Sequence, residues 1–301
     1  MSEALRSFLT LDLAPLLAVT FAAGTLGLLG SFLVLERRAM IGDAVAHSVL
    51  PGLVVAFLVT GTRAPSAMFL GALGAAAVAG GAIGTIGRFG RLDPTVAIGI
   101  VFTTLFALGV LLVETSGARN VDLDLDCVLS GQLELLFWTP PATAAELLRP
   151  AVLATLPRET LLLGALFAAV PALLALVWRP LKTAVFDPTY ARTRGTAPRL
   201  LRAGLFTLQA AAIVASFEAL GSILVIALLT CPAAAARLDA RTLLGYVTRS
   251  CAYGLLAGVT GYLLATRAAP AALGASIDAS GTVAVCAGAL LAVRALASRR
   301  P

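Results

Sequence analysis

Long apolar runs separated by short clusters of charge set the pattern of this chain. Apolar stretches recur at 14–35, 41–60, 66–87, 95–113, 160–178, 203–217, 221–236, 250–266 and 279–297. A helix crossing a bilayer needs about 20 predominantly apolar residues, and most of these runs approach that length. They predict an all-α, polytopic membrane protein with about eight or nine transmembrane helices in one domain spanning 1–301. The pair 203–217 and 221–236 reads either as two short spans meeting at 218–221 or as one long kinked helix. The N-terminal run lacks a basic segment followed by a small-residue cleavage site, so it does not read as a removed signal peptide.

Composition agrees with the pattern: 59% of residues are hydrophobic and 13% charged, which excludes an ordinary soluble domain. The placement of charge sets the orientation. The loop 179–202 carries Arg179, Lys182, Arg192, Arg194, Arg199 and Arg202 against Asp187 alone, so the positive-inside rule puts it in the cytoplasm. With nine spans, Arg37–Arg38, Arg88, Arg91, Arg237, Arg241, Arg249, Arg299 and Arg300 fall on the same side. A single span over 203–236 would send the last two clusters outside, so charge favours a hairpin there. The net charge of +6 then faces lipid headgroups on the cytoplasmic side. It gives no support for nucleic-acid binding, because the basic residues lie in separate short loops without interleaved aromatics.

The connection 114–159 is expected outside. It holds Glu114, Asp122, Asp124, Asp126, Glu134, Glu146 and Glu159 against three arginines. It reads either as an acidic mouth that concentrates cations or as a solvated loop. The alternation from Val121 to Asp126 suggests a short amphipathic strand or interfacial turn.

The candidate chemistry is concentrated in one place. The chain has a single histidine, His47, four residues after Asp43 inside an apolar run. On a helix, i and i+4 share a face, so the carboxylate and the imidazole can address one small object. Together they suit a divalent transition metal, and an ionisable group in a lipid-buried segment usually marks a pathway. The same pair also fits two polar groups satisfying each other between packed helices. Pro51 lacks the N–H that would bond the carbonyl of His47, leaving that oxygen partly free. Glu218 is a second carboxylate near a helix break, either a cation contact or a boundary residue that stays wet.

Other motifs are weaker. Gly80-x-x-x-Gly84 and Gly254-x-x-x-Gly258 permit close helix approach, but such spacings arise easily in a chain rich in Ala and Gly. Gly30-Ser31-Phe32-Leu33-Val34 and Gly221-Ser222-Ile223-Leu224-Val225 hint at an internal repeat. Cys127, Cys231, Cys251 and Cys286 form no C-x-x-C pair and read as small apolar residues. No G-x-x-x-x-G-K-[ST] loop is present, and one imidazole leaves no room for a nucleophile–base constellation, so no catalytic residue or bound cofactor is expected.

Four stretches together carry a resemblance. Residues 30–52 read GSFLVLERRAMIGDAVAHSVLPG, 93–102 read DPTVAIGIVF, 186–195 read FDPTYARTRG and 220–237 read LGSILVIALLTCPAAAAR. In this order they resemble the integral membrane permease subunits of zinc/manganese/iron-type metal ABC importers, over about 14–297. The resemblance implies a type II ABC importer-like fold, ATP-driven alternating access, and metal ligation by Asp43 and His47. It also implies a coupling segment at Asp187, Pro188, Ala191, Arg192, Arg194 and Gly195. Asp187-Pro188 suits a helix start, with Asp capping free N–H groups and Pro at the first position.

The implied partners are cytoplasmic ABC ATPase subunits, an extracytoplasmic metal-binding protein, a second permease copy (identical or a paralogue) and the lipid bilayer. The implied location is the bacterial cytoplasmic membrane. Glu218 has no counterpart in the resemblance, and 132–158, with Trp138, is longer than the family pattern implies. A nitrogen ligand favours zinc and oxygen ligands favour manganese, so the mixed pair does not choose among zinc, manganese and ferrous iron. Two rival classes stay open: an ATP-independent transporter or channel for a cation or small solute, and a non-transporting membrane assembly subunit.

Overall fold

The computed structural model describes residues 7–62, 64–115, 131, 133–139, 152, 154–273 and 277–298. The alternation at 121–126 and Cys127 lie outside the described residues. Every regular element among those described is helical.

A π-helical turn, Phe8–Asp12, runs into α1, Leu13–Leu35. Then follow α2, Ile41–Thr60, α3, Pro65–Phe89, and α4, Pro94–Thr115. After the connection come α5, Arg158–Leu176, α6, Trp178–Phe186, α7, Pro188–Thr193, and α8, Pro198–Asp239. The chain ends with α9, Leu243–Leu263, a π-turn at Leu264–Ala268, α10, Ala269–Leu273, and α11, Ala279–Ser298. Seven helices among the described residues are long and apolar enough to cross a membrane, with α8 counted once.

α8 is two crossings. Gly221 sits at φ 75° and ψ 166°, a region open essentially only to glycine. On one side of it Gln209 donates to the Leu29 carbonyl at 3.3 Å, and on the other the backbone of Leu229 lies against Gly30. Positions 209 and 229 thus reach the same level of α1. Likewise Arg202 lies 3.7 Å from Glu36, and Arg237 shares a cavity wall with Leu35. The two halves therefore run antiparallel, as the charge pattern favoured. Each half, 198–220 and 222–239, is about 34 or about 27 Å long, close to the bilayer's apolar thickness.

With α9 crossing from the basic end to the opposite end, where Tyr262 reaches Asp12, the described helices make nine crossings. The loops at 36–40, 177–197 and 240–242 share one end, so the basic clusters among the described residues gather there.

α1 is the central post. It packs against α5, α8 and α9, and both α1 and α8 are mostly buried. Gly254 of α9 meets the Ala23 backbone and Gly258 meets Val19, so that spacing marks a helix crossing. Gly80 meets only the Phe206 ring and Gly84 meets nothing, so the other spacing does not. Gly30 lies within a continuous helix whereas Gly221 breaks one, so the two Gly-Ser stretches are not a structural repeat.

At the outer end the described part of the long connection is packed down. Gly131 lies against the Gly221 break, Trp138 bonds Thr10 and Thr155, and Glu134 accepts from the Ala279 N–H that starts α11. Cys231, Cys251 and Cys286 are free and half-buried.

Candidate functional site

α2 positions Asp43 and His47 in its first two turns from the basic end. They lie one turn apart on a face that looks toward α4, and both are half-buried. Each feels the charge of the other. Neither side chain forms a hydrogen bond among the described residues.

α4 supplies the opposing wall. The His47 ring meets Phe102 edge-on at 4.8 Å and Phe106 at 5.3 Å, and the two phenyl rings stack at 6.4 Å. Such edge contacts fix the plane of the imidazole without occupying its nitrogens. One turn further along, Gly109 of α4 packs on Pro51 of α2: a Cβ at 109 would lie 2.8 Å from Pro51 Cδ. His47 and Pro51 of α2 therefore face Phe102, Phe106 and Gly109 of α4, and Asp43 lies one turn before His47 on the same stripe.

Above the pair, toward the outer side, the same seam closes with Leu50, Val54 and Val113, backed by Val110 and Leu112. An apolar plug thus separates the carboxylate and imidazole from the outer face of this chain.

Asp43 and His47 come together as the helical spacing predicts. Glu218 does not join them. It is exposed at the outer end of the first half of α8, three residues before the break, in the field of Glu159 and Arg158. Among the described residues no group of three or more His, Cys, Asp or Glu gathers as a metal-holding set. Asp43 and His47 are two donor-bearing side chains, where a tetrahedral metal site takes four ligands. The phenyl cage around His47 was not read from the sequence. The signal was present: Phe102, Phe106 and Gly109 at i, i+4 and i+7 make one helix stripe, as Asp43, His47 and Pro51 do at i, i+4 and i+8.

The segment 187–195 forms as its residues dictate. Asp187 Oδ1 accepts from the N–H groups of Thr189 at 3.0 Å and Tyr190 at 2.9 Å, Pro188 opens α7, and Gly195 closes the segment at φ 74°. Ala191 is 0% exposed and anchors the turn, while Tyr190 at 45% and Phe186 at 60% point outward. Arg194 lies over the Tyr190 ring and donates to its hydroxyl at 2.9 Å. Arg202 ties the segment's base to the bundle by donating to the Ala184 carbonyl at 3.2 Å. The result is a small basic and aromatic knob on the basic end of the bundle.

These features define a multi-pass helical membrane protein with one carboxylate–imidazole pair at a helix seam and a capped helical knob at its basic end. The sequence profile of the ABC 3 transport family matches residues 10–137 and 145–293, and the chain belongs to that family. It is similar to the manganese transport system membrane protein MntD of Bacillus subtilis (strain 168), with 34% identity over 80% of this chain and 78% of that one. It is also similar to the zinc transport system membrane protein TroC of Treponema pallidum (strain Nichols), with 31% identity over 80% of this chain and 75% of that one. Its fold is similar to a chain in the solved structure of PsaBC from Streptococcus pneumoniae in complex with Fab. There the TM-score is 0.71 at 22% identity, covering 93% of this chain and 89% of that one.

Proposed function

We propose that this chain is the permease subunit of an ATP-driven importer for a divalent transition metal (manganese, zinc or ferrous iron) in a bacterial cytoplasmic membrane. The observation that carries the reading is the Asp43–His47 pair, half-buried in an apolar seam yet free of hydrogen-bond partners. Polar groups in membrane helices ordinarily find partners, so an uncommitted carboxylate and imidazole facing one another's helix turn suit a passing cation. The similarity to membrane proteins of manganese and zinc transport systems supports the metal class.

The transported metal is substrate, held briefly. Asp43 would offer oxygen and His47 a neutral nitrogen, with the ring plane set by Phe102 and Phe106. A second permease copy, identical or a paralogue, would bring a matching pair and complete the coordination. The plug of Leu50, Val54 and Val113 would keep the outer side shut until the α2–α4 seam rearranges. An extracytoplasmic metal-binding protein would deliver the ion to the outer face, where Glu218 offers a first carboxylate. Separate ABC ATPase subunits would dock on the segment from Asp187 to Gly195, with Arg192 and Arg194 presented to carboxylates.

Reconstitution tests this. The permease with its ATPase and binding protein should accumulate manganese or zinc in vesicles only with ATP inside reach of the ATPase, and the permease alone should accumulate none. Uptake by the permease alone, driven by an ion gradient, would instead make it a secondary transporter.

A further inference from the structure

A cavity of about 260 Å³ opens on the cytoplasmic end between Phe186, which directly precedes the knob, and the α8–α9 turn. Its wall includes Leu35, Arg237, Arg241, Thr242 and Tyr246. Tyr246 is 4% exposed, and its hydroxyl is buried with no hydrogen-bond partner. A buried, unpaired hydroxyl costs free energy, so its persistence calls for a partner that enters the cavity.

Three further observations give that partner a sign. Arg237 and Arg241 form no ion pair among the described residues, and the charge of Arg237 acts on Tyr246. Asp239, the acid between them in sequence, is committed elsewhere, to Arg294 and to the Tyr253 hydroxyl at 2.6 Å. No carboxylate lines the cavity. α9 begins at this wall: Thr242 caps it by accepting from the Gly245 N–H at 3.1 Å, and helix N-termini attract anions.

We propose that this cavity is a binding site for a phosphate-class anion, held by Arg237, Arg241 and the Tyr246 hydroxyl at the N-terminus of α9. Two arginines without ion pairs among the described residues, a phenol hydroxyl without a partner and the N-terminus of α9 line one cavity, and together they offer several donors to an anion with four acceptor oxygens. The bound group would bridge the α8–α9 turn to Phe186 and so hold the knob's base in one position. The same chemistry is offered by free phosphate and by a phospholipid headgroup. The site is separate from the metal pair.

The test uses the full-length chain in nanodiscs of neutral phosphatidylcholine, titrated calorimetrically with inorganic phosphate and, as a flat control, acetate. Saturable binding of phosphate is expected, weakened at least about tenfold by Arg237→Gln or Arg241→Gln, the loss of one hydrogen bond to a charged group. Tyr246→Phe should weaken it severalfold without lowering the melting temperature measured free of phosphate, because the hydroxyl has no partner to lose.

Nanodiscs containing phosphatidylglycerol separate the sources. Suppression of phosphate binding there, with less phosphatidylglycerol retained by the arginine variants, identifies the headgroup; unchanged phosphate affinity identifies free phosphate. Absence of both phosphate binding and phosphatidylglycerol retention would overturn the site. So would binding that all three variants leave intact. Acetate competing as well as phosphate would overturn the phosphate assignment in favour of a carboxylate on a docked protein. None of these outcomes bears on metal transport.

Discussion

In the α1–α8–α9 core, two buried polar side chains bond across to a neighbouring helix. Ser250 donates to the Gly27 carbonyl at 2.5 Å and Gln209 to that of Leu29 at 3.3 Å. In the α2–α4 seam, Asp43 and His47 make no such bond among the described residues, and His47 lies edge-on against Phe102 and Phe106. Both regions sit in apolar helices, the core side chains buried and the pair half-buried. The difference teaches that a membrane helix can carry polar groups for two purposes. Bonded groups lock one helix to the next. Unbonded ligand-capable groups stay available, and the rings around them supply orientation instead.

Exchanging the two behaviours should separate their effects. Asp43→Asn and His47→Ala are expected to cut metal uptake by about 100-fold or more while expression and melting stay near wild type. Uptake assays beside thermal melts read both quantities at once, and wild-type transport in either variant would move the ion path elsewhere.

Ala191→Pro attacks a third region, the knob at the basic end. It removes the Ala191 N–H that bonds the Asp187 carbonyl at 3.0 Å and should cost α7 about 3 kcal/mol. Metal should still bind, while the ATPase no longer co-purifies. Retained association would shift coupling to the basic loop 237–249.

Gly221→Ala presses on the hinge of the core hairpin. At a backbone geometry reserved for glycine, the expected loss is about 1–3 kcal/mol, read as a lowered melting temperature. An unchanged melt would mean that the break tolerates a side chain. Ser250→Ala is the matched control for the seam. Losing its bond to Gly27 should cost about 0.6 kcal/mol and leave uptake untouched, because its hydroxyl serves packing alone.

Glu218→Gln carries the smallest effect. An exposed carboxylate at the outer end should shift the half-saturating metal concentration by at most about fivefold. Ion-competition curves identical to wild type would remove it from the path.

Much of this was legible in the residues. The antiparallel halves of α8 follow from where the arginines lie, since only a hairpin keeps Arg237, Arg241 and Arg249 on the side of Arg202. The cap on α7 is written in Asp187-Pro188, because capping is local chemistry. The pairing of Asp43 with His47 is helical arithmetic. What the sequence does not display is contact between distant segments. Nothing near Glu134 says that it caps the helix beginning at Ala279, and nothing near Gly131 says that it seats against Gly221. The phenyl cage on His47 is intermediate: its spacing is visible, but which helix faces α2 is decided by packing.

The most direct test of the account rests on the fact that His47 is the chain's one histidine. The permease can be labelled with ¹⁵N-histidine, purified through a histidine-free tag and loaded with Mn²⁺. Pulsed electron spin resonance should then show ¹⁵N imidazole coupling to the bound ion, absent in His47→Ala. Bound manganese without nitrogen coupling, or coupling that survives His47→Ala, would contradict the assignment of the α2–α4 pair as the metal's stopping point.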